Sequence, residues 1–450
     1  MKSAWRKPFT VFFSAAGVLT LAVLFVNWWM NHSFPALSRV MAILSLLLFA
    51  AVGLLTVQAW GRFWFAEPEK HKINRKSEKP VSGRRIFLFL LGWDLTVLLL
   101  AWPLRCALLG PMSLMQSMRE WVCGDGIHYL DIARDWYLST GTYDRVVQLV
   151  FLPGYPIAIR LAHLLIPEWT YAALTVSGLC FAGAGVVLYR LLALDLDSST
   201  ALRSVAILCL LPGSFFFSAA MSESLFLLCC AGCLYLARTK RWLPACLIGG
   251  YAAFTRSLGI TLLVPLVVEL VYECEQKNLT GRKLWSAAAS LLLIPFGFAV
   301  YLLINRQVSG NPFQFLIYQS EHWHQSLGCF FHSAAYQTDY AMHTLRENPH
   351  HFLGLWLPNL IATTCALVIM IIGARKIRPS YSVWFIPYYF IAIGATWLLS
   401  APRYLIVFFP IAETLSIVTK NRILYTVLII CISVASVLYF LAFLHRWQVW

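Results

Sequence analysis

Charge is what this sequence has least of. Asp, Glu, Lys and Arg make up 12% of its 450 residues, against 60% hydrophobic, and the mean hydropathy is +0.70. So little polar surface cannot cover so much apolar volume in water, which excludes a soluble globular fold and leaves the bilayer as the solvent. Metal-ligand spacing is missing too. The twelve cysteines form no pair of CxxC motifs, and Cys229, Cys230 and Cys233 lie in apolar sequence, as buried thiols do. No Gly-rich phosphate loop is present, so no nucleotide pocket is indicated. No internal repeat is detectable, which sets the chain apart from the many transporters built of paired halves.

Long apolar runs are there instead. Residues 9–30, 37–59, 86–101, 287–304 and 423–443 each approach the roughly 20 residues that a membrane-spanning helix needs. The first run is long and has no convincing small-residue cleavage site before Asn31 and His32, so it reads as a span in preference to a signal peptide. The formal charge of +15 would suit nucleic acid if the cations were scattered, but they sort by side. With Lys2, Arg6 and Lys7 cytoplasmic, the basic loop at 62–85 is cytoplasmic too, as the positive-inside rule requires. Alternation then brings Arg238/Lys240/Arg241, Lys277/Arg282/Lys283, Arg375/Lys376/Arg378 and Lys420/Arg422 to the same side, with all 11 lysines. The basic balance is therefore topology, and no nucleic-acid partner is implied.

That alternation holds only if residues 146–167 are not a span. Pro153, Gly154 and Pro156 break the run and make it a juxtamembrane or re-entrant segment. Further spans are expected near residues 171–190, 201–220, 222–237, 243–255, 258–272, 284–304, 352–373, 381–400, 404–418 and 423–443, about thirteen in all with the first three. The expectation is an all-α polytopic membrane bundle of about 11–13 spans. Residues 1–85 form an N-terminal hairpin with its basic cytoplasmic loop. Residues 86–450 form the core, with outer loops at about 111–169 and 305–351 carrying juxtamembrane helices.

The first outer loop contains Cys123-Gly-Asp-Gly-Ile-His-Tyr-Leu, in which Asp125 sits between glycines just before an amphipathic pattern suited to lying on the membrane surface. An Asp there is also a natural N-cap. Asp131 and Asp135, four apart on one face, are expected to face water. Glu223 follows Ser222 at the outer start of a span, either as part of a cap or as part of a site. Arg256 stands at the tip of a hairpin between two apolar segments and needs an anion there, which Glu223 or a bound phosphate would supply. Arg403 repeats the situation in Ser-Ala-Pro-Arg-Tyr. Two isolated outer arginines suggest an anion site, with interfacial snorkelling as the plain alternative. Asp94, Glu269 and Glu413 are the main ionisable residues buried within spans.

Six of the eleven histidines fall between His322 and His351. His322, His324, His332 and His343 have no compact ligand spacing and no HExxH arrangement, so no metal is expected. Tyr318 and Trp323 are placed either to stack on a sugar or to join the interfacial aromatic belt. Cys123 and Cys329 both fall in outer loops, where an oxidising compartment would permit a disulfide.

Taken in order, several segments resemble the PIG-V-like mannosyltransferases of the GT-C superfamily, membrane enzymes that use polyprenyl-phosphate sugars. They are Asp125-Gly-Ile-His-Tyr-Leu, Phe151-Leu-Pro-Gly-Tyr-Pro, Ser222-Glu-Ser-Leu-Phe, Thr255-Arg-Ser-Leu-Gly, Tyr318-Gln with Trp323, and Pro402-Arg-Tyr. Together they cover roughly residues 124–404. The family has Trp immediately before the Asp, where this chain has Gly124, with Trp121 upstream. The two N-terminal spans are additional to the family core.

The resemblance implies a GT-C-like bundle and transfer of mannose, with inversion, from a polyprenyl phosphate to a lipid-linked or surface glycan acceptor on the extracytoplasmic side. Asp125 would be the general base. Arg256, and after it Arg403, would hold the donor phosphate. His128, Tyr129, Tyr155, Glu223, Gln319, Trp323 and Tyr404 would bind substrate, with membrane lipids around and no cofactor or metal. A lipid-linked saccharide transporter or a non-catalytic transferase subunit shares much of this composition. A transporter is expected to carry more charge midway through its spans.

Overall fold

The computed structural model describes residues 2–65, 80–137 and 145–449. Among them every regular element is helical, apart from one isolated bridge between Leu327 and Ala395. Helix is what hydrocarbon demands, because each backbone N–H and C=O must be bonded within its own segment.

The N-terminal hairpin is α1 (Lys2–Asn31) and α2 (Ala36–Phe65). Most of the basic loop expected at 62–85 lies outside the described residues. After α3 (Gly83–Leu109) come three short helices, α4 (Leu114–Arg119), α5 (Asp125–Asp135) and α6 (Gly154–His163), with a 3-10 turn at Arg145–Val150 before α6. Ser113 and Gln116 close α4 with a capping box. At ten residues, α6 is only about 15 Å long, short of the roughly 30 Å of hydrocarbon a span must cross. Pro153 stands before its first turn and Pro156 within it, where a missing N–H breaks no helical bond.

Next come α7 (Trp169–Leu192), α8 (Ser198–Leu210), α9 (Glu223–Arg238), α10 (Trp242–Thr255) and α11 (Leu263–Glu275), the last entered through a 3-10 turn at Ser257–Leu262. Then follow α12 (Gly281–Ser290), α13 (Leu293–Ser309), α14 (Gln314–Trp323) and α15 (Phe330–Glu347). α16 (Pro349–His351) runs through a π-helical turn at Phe352–Trp356 into α17 (Leu357–Gly373), and α18 (Pro379–Ile393), α19 (Ala401–Ile406), α20 (Pro410–Val418) and α21 (Arg422–Leu444) complete the bundle.

Among the described residues, eight helical stretches are long and apolar enough to cross a bilayer: Trp5–Asn31, Ala36–Phe65, Gly83–Leu109, Trp169–Leu192, Ser257–Glu275, Gly281–Ser309, Pro349–Gly373 and Arg422–Leu444. The chain is thus an all-α, multi-pass integral membrane protein. The other expected spans come as shorter or broken pieces. The run at 201–220 stops at Leu210, because Leu211 precedes a proline and Gly213 adopts φ 92°, a conformation that suits glycine. The run at 381–400 ends its helix at Ile393, and the run at 404–418 divides between α19 and α20 ahead of Pro410. Small residues let the central helices close up: a Cβ on Gly250 of α10 would lie 2.5 Å from the Leu293 carbonyl of α13.

Ionised side chains gather in two layers. In one, Arg238 donates two hydrogen bonds to Asp195 at 2.7 and 2.8 Å, Arg378 donates from Nη2 to Glu269 at 2.7 Å, and the Ser380 hydroxyl donates to the same carboxylate at 2.6 Å. The other layer holds Asp125, Glu223, Arg256 and Arg403. Glu223 opens α9 and Arg238 closes it, so the layers stand roughly 22 Å apart along that helix. That is less than the roughly 30 Å of hydrocarbon, and the charges must be paired to be there at all.

Candidate active site

The site begins with the local geometry of Gly124-Asp125-Gly126. Gly124 holds φ 48° at the N-cap position of α5, which strongly favours glycine. Gly126 faces the backbone at Ala220, and a Cβ there would lie 2.8 Å from the Ala220 carbonyl. The Ala220 N–H donates to the Trp121 carbonyl at 3.1 Å. The two glycines therefore press the start of α5 against the turn that leads into α9. Asp125 becomes the first residue of α5, and its carboxylate, instead of capping the helix, forms an ion pair with Arg403 Nη2 at 2.8 Å.

Glu223, the first residue of α9, sits behind. Its Oε1 accepts from Arg256 Nη1, and Arg403 Nε stands 3.4 Å from the same oxygen. Glu223 Oε2 and Arg403 Nε are buried without hydrogen-bond partners. Ser222 makes no cap either. Its hydroxyl accepts from Arg256 Nη1 at 3.0 Å and lies 3.1 Å from the Tyr129 hydroxyl. The Tyr404 ring is 5.3 Å from each guanidinium, within cation–π range of both. Tyr388 holds that residue by donating to its carbonyl at 2.7 Å. Two arginines thus face two carboxylates with no net charge. The Glu223, Arg403 and Arg256 side chains are 1%, 5% and 13% exposed, whereas Asp125 is 31% exposed. Asp125 is the member of the quartet that reaches the surface.

A second wall is aromatic. His128 stacks on Phe151 with centroids 4.6 Å apart and planes at 15°, and Trp323 meets both rings edge-on, at 5.6 Å from Phe151 and 6.1 Å from His128. This brings α5, α14 and the Phe-Leu-Pro-Gly segment together. The same segment steadies Arg256. Gly154 leaves no room for a side chain against Thr255, and Tyr251 donates to the Gly154 carbonyl at 2.8 Å, so the hairpin tip is pinned just before the arginine. His128 Nδ1 is buried without a partner. Burial lowers the pKa of His128 against the opposing pull of Asp125 and Asp131, so the ring is neutral at pH 7 and offers one donor and one acceptor.

Of the other expected site residues, Tyr129 adjoins the quartet through Ser222, while Tyr155 and Gln319 bond elsewhere. Tyr129 is buried and meets Tyr155 edge-on at 5.3 Å. Tyr155 is fully buried and bonds to the Ala173 carbonyl at 3.1 Å and to Ser177 Oγ at 2.7 Å, joining α6 to α7 behind the site. Gln319 donates to Gln325 at 2.9 Å, and Gln325 in turn bonds the Trp397 carbonyl, so Gln319 belongs to the 324–398 contact and not to the quartet. Asp131 accepts from Gln148 at 3.2 Å where water was expected, while Asp135 is exposed. Cys123 and Cys329 are unpaired, and burial raises the Cys123 thiol to about 12. Among the described residues, no three His, Cys, Asp or Glu side chains gather as metal ligands. Ser222, Phe151 and Tyr388 are the participants that sequence reasoning had not assigned to the site. Phe151 had a signal in its Pro-Gly motif, and Tyr388 had none.

Fold and site together define a polytopic, all-helical membrane protein with a charge quartet sunk at one end of the bundle. No family model matches the chain and no curated protein matches its sequence. Among solved structures it is similar, at TM-score 0.41 and 10% identity, to the archaeal oligosaccharyltransferase AglB from Archaeoglobus fulgidus, in complex with an inhibitory peptide and a dolichol-phosphate. The match covers 82% of this chain and 56% of that one, so the chain spans little more than half the length of that structure.

Proposed function

We propose that the chain is a membrane glycosyltransferase of the GT-C kind, moving a sugar, mannose by the resemblance of its motifs, from a polyprenyl phosphate to an acceptor hydroxyl on a lipid-linked or surface glycan. The observation that carries this reading is the contact between Asp125, half-way to the surface, and Arg403, which is buried. A proton acceptor and a phosphate-binding group belong to one site, and an inverting displacement needs both, on opposite faces of the sugar that enters it. The acceptor oxygen attacks the anomeric carbon from the face opposite the phosphate, its proton passes to Asp125, and the carbon–oxygen bond to phosphate breaks with its electron pair. The leaving polyprenyl phosphate gains a negative charge, which Arg403 and Arg256 are suited to meet in a site nearly free of water.

Charge sorting along the sequence supports an extracytoplasmic site, and among the described residues Lys240 follows the Arg238 end of α9, opposite the end that Glu223 opens. The His128, Phe151 and Trp323 rings supply a flat apolar face for a sugar, and the apolar helices around the site suit a polyprenyl chain. The test is transfer by the purified full-length protein from polyprenyl-phosphate mannose to candidate lipid acceptors. Wild type should transfer, and Asp125→Asn should be slower by about 10²- to 10⁴-fold. Equal rates would remove Asp125 as the base. Transfer from no such donor would favour a saccharide transporter or a non-catalytic subunit.

A further inference from the structure

The quartet is electrically closed as it stands. Arg403 gives Nη2 to Asp125 at 2.8 Å and Nη1 to the Met221 sulfur at 3.3 Å, while Arg256 is bonded to Glu223 and Ser222. A donor phosphate is a third anion. Entering two balanced ion pairs, it meets carboxylates that repel it as well as guanidiniums that attract it, and in a poorly hydrated site neither effect is screened. Favourable binding therefore needs an arginine to let go of its carboxylate. The two carboxylates differ in how readily they leave. Glu223 is 1% exposed and would have to remain as a bare buried charge, whereas Asp125 is 31% exposed at the first position of a helix, where the dipole stabilises an anion that turns to solvent.

We propose that the donor phosphate displaces Asp125 from Arg403, so that donor binding itself unmasks the base. This rests on the glycosyl-transfer reading and deepens it. Before donor binds, Asp125 Oδ2 is engaged by the Arg403 guanidinium at 2.8 Å. When phosphate takes over Arg403, that oxygen becomes available beside the sugar it must serve. The acceptor hydroxyl then loses its proton to Asp125 as its oxygen bonds to the anomeric carbon, and the electron pair of the broken bond leaves on the phosphate already held by Arg403. Donor binding thus precedes acceptor activation, and Asp125 competes with the donor for the same arginine.

Competition makes an unusual prediction: removing the base should tighten the donor phosphate. The experiment measures binding of a sugar-free polyprenyl phosphate, and of the polyprenol of equal length, to full-length protein in lipid nanodiscs by tryptophan fluorescence. Asp125→Asn should bind the phosphate about five- to fiftyfold more tightly than wild type and the alcohol equally. Asp125→Ala, which removes the same charge, reads the same quantity should the amide variant be recovered poorly. Adding Arg403→Gln to either should abolish the gain. Unchanged or weaker phosphate binding by the Asp125 variants overturns the exchange while leaving the transfer reading intact. So does equal tightening of phosphate and alcohol, which would mean a roomier entrance, or a gain that survives loss of Arg403. If no variant and not the wild type binds the phosphate saturably, the transfer reading falls and the exchange with it.

Discussion

Glu223 and Arg256 are bonded through a single carboxylate oxygen, and the guanidinium of Arg403 approaches that same oxygen at 3.4 Å. One nearly dry carboxylate therefore stands between two nearly dry cations, and the second carboxylate, Asp125, balances only Arg403. The four charges do not contribute equally. Removing Glu223 leaves Arg256 without a carboxylate in contact, while removing Asp125 leaves Arg403 still beside Glu223.

Stability should follow that asymmetry. Glu223→Gln is expected to lower stability by about 3–5 kcal/mol, the usual consequence of stranding a buried charge, and Asp125→Asn by less than half as much. Thermal unfolding of the purified variants in detergent measures both. A Glu223→Gln protein melting with wild type would show that the pair contributes no net stability.

The aromatic wall should act on the sugar and not on the phosphate. Trp323→Ala is expected to raise KM for a polyprenyl-phosphate sugar about two- to tenfold, the range of one aromatic contact, with kcat little changed. Binding of sugar-free polyprenyl phosphate should not move. A loss on both ligands would place Trp323 in the fold of the site instead of against the sugar.

What was legible in the sequence follows from how far each signal reaches. Arg256 announced itself because a cation between two apolar segments must find an anion, and Glu223 at the start of α9 is that anion. Asp125 was legible as important but not as an ion-pair partner. Its own neighbours favour a cap, and only the fold brings Arg403, 278 positions away by number, to its side. Ser222 was misread for the same reason: locally it suits a cap, but its hydroxyl serves Arg256 and Tyr129. Tyr155 and Gln319 lie in the segments singled out with the site, but Tyr155 bonds into α7 and Gln319 to Gln325, contacts that the local sequence does not reveal. The break after α8 was written as Pro212-Gly213, but the surrounding apolar run outweighed it in a reading by hydropathy.

Acid should loosen the contact between α1 and α15. His332 accepts a hydrogen bond from Trp28 Nε1 at 3.0 Å, and burial, followed by the adjacent His32 ring, lowers its pKa from the usual 6.5 to about 4. Between those values the unfolded chain carries a proton that the folded chain refuses, so stability rises with pH. The His332 contribution is complete above about pH 7, is lost as pH falls through the interval from 6.5 to about 4, and changes no further below it. His332→Gln should be less stable than wild type at pH 7.5 and should lose less on moving to pH 5. Parallel melting curves for the two proteins would remove His332 from the effect.

The layer of charges at the far end of the bundle should affect stability and leave chemistry alone. Arg238 is bonded to Asp195 through two donors and stands 3.9 Å from Glu269, and Arg378 joins the same two carboxylates, tying the ends of α7, α9, α11 and α18. Replacing Arg238 by Gln leaves Asp195 and Glu269 to Arg378 alone, and partial rescue by that neighbour makes the expected loss about 2–3 kcal/mol, below that of a fully stranded charge. Asp125 and Arg403 belong to the opposite layer, roughly 22 Å away by the rise of α9, too far for a change in direct Coulomb contact. Turnover per folded molecule should therefore match wild type while the melting temperature falls. A drop in kcat at full folding would show that the two layers are coupled through α9, whose first residue holds Arg256 and whose last is Arg238.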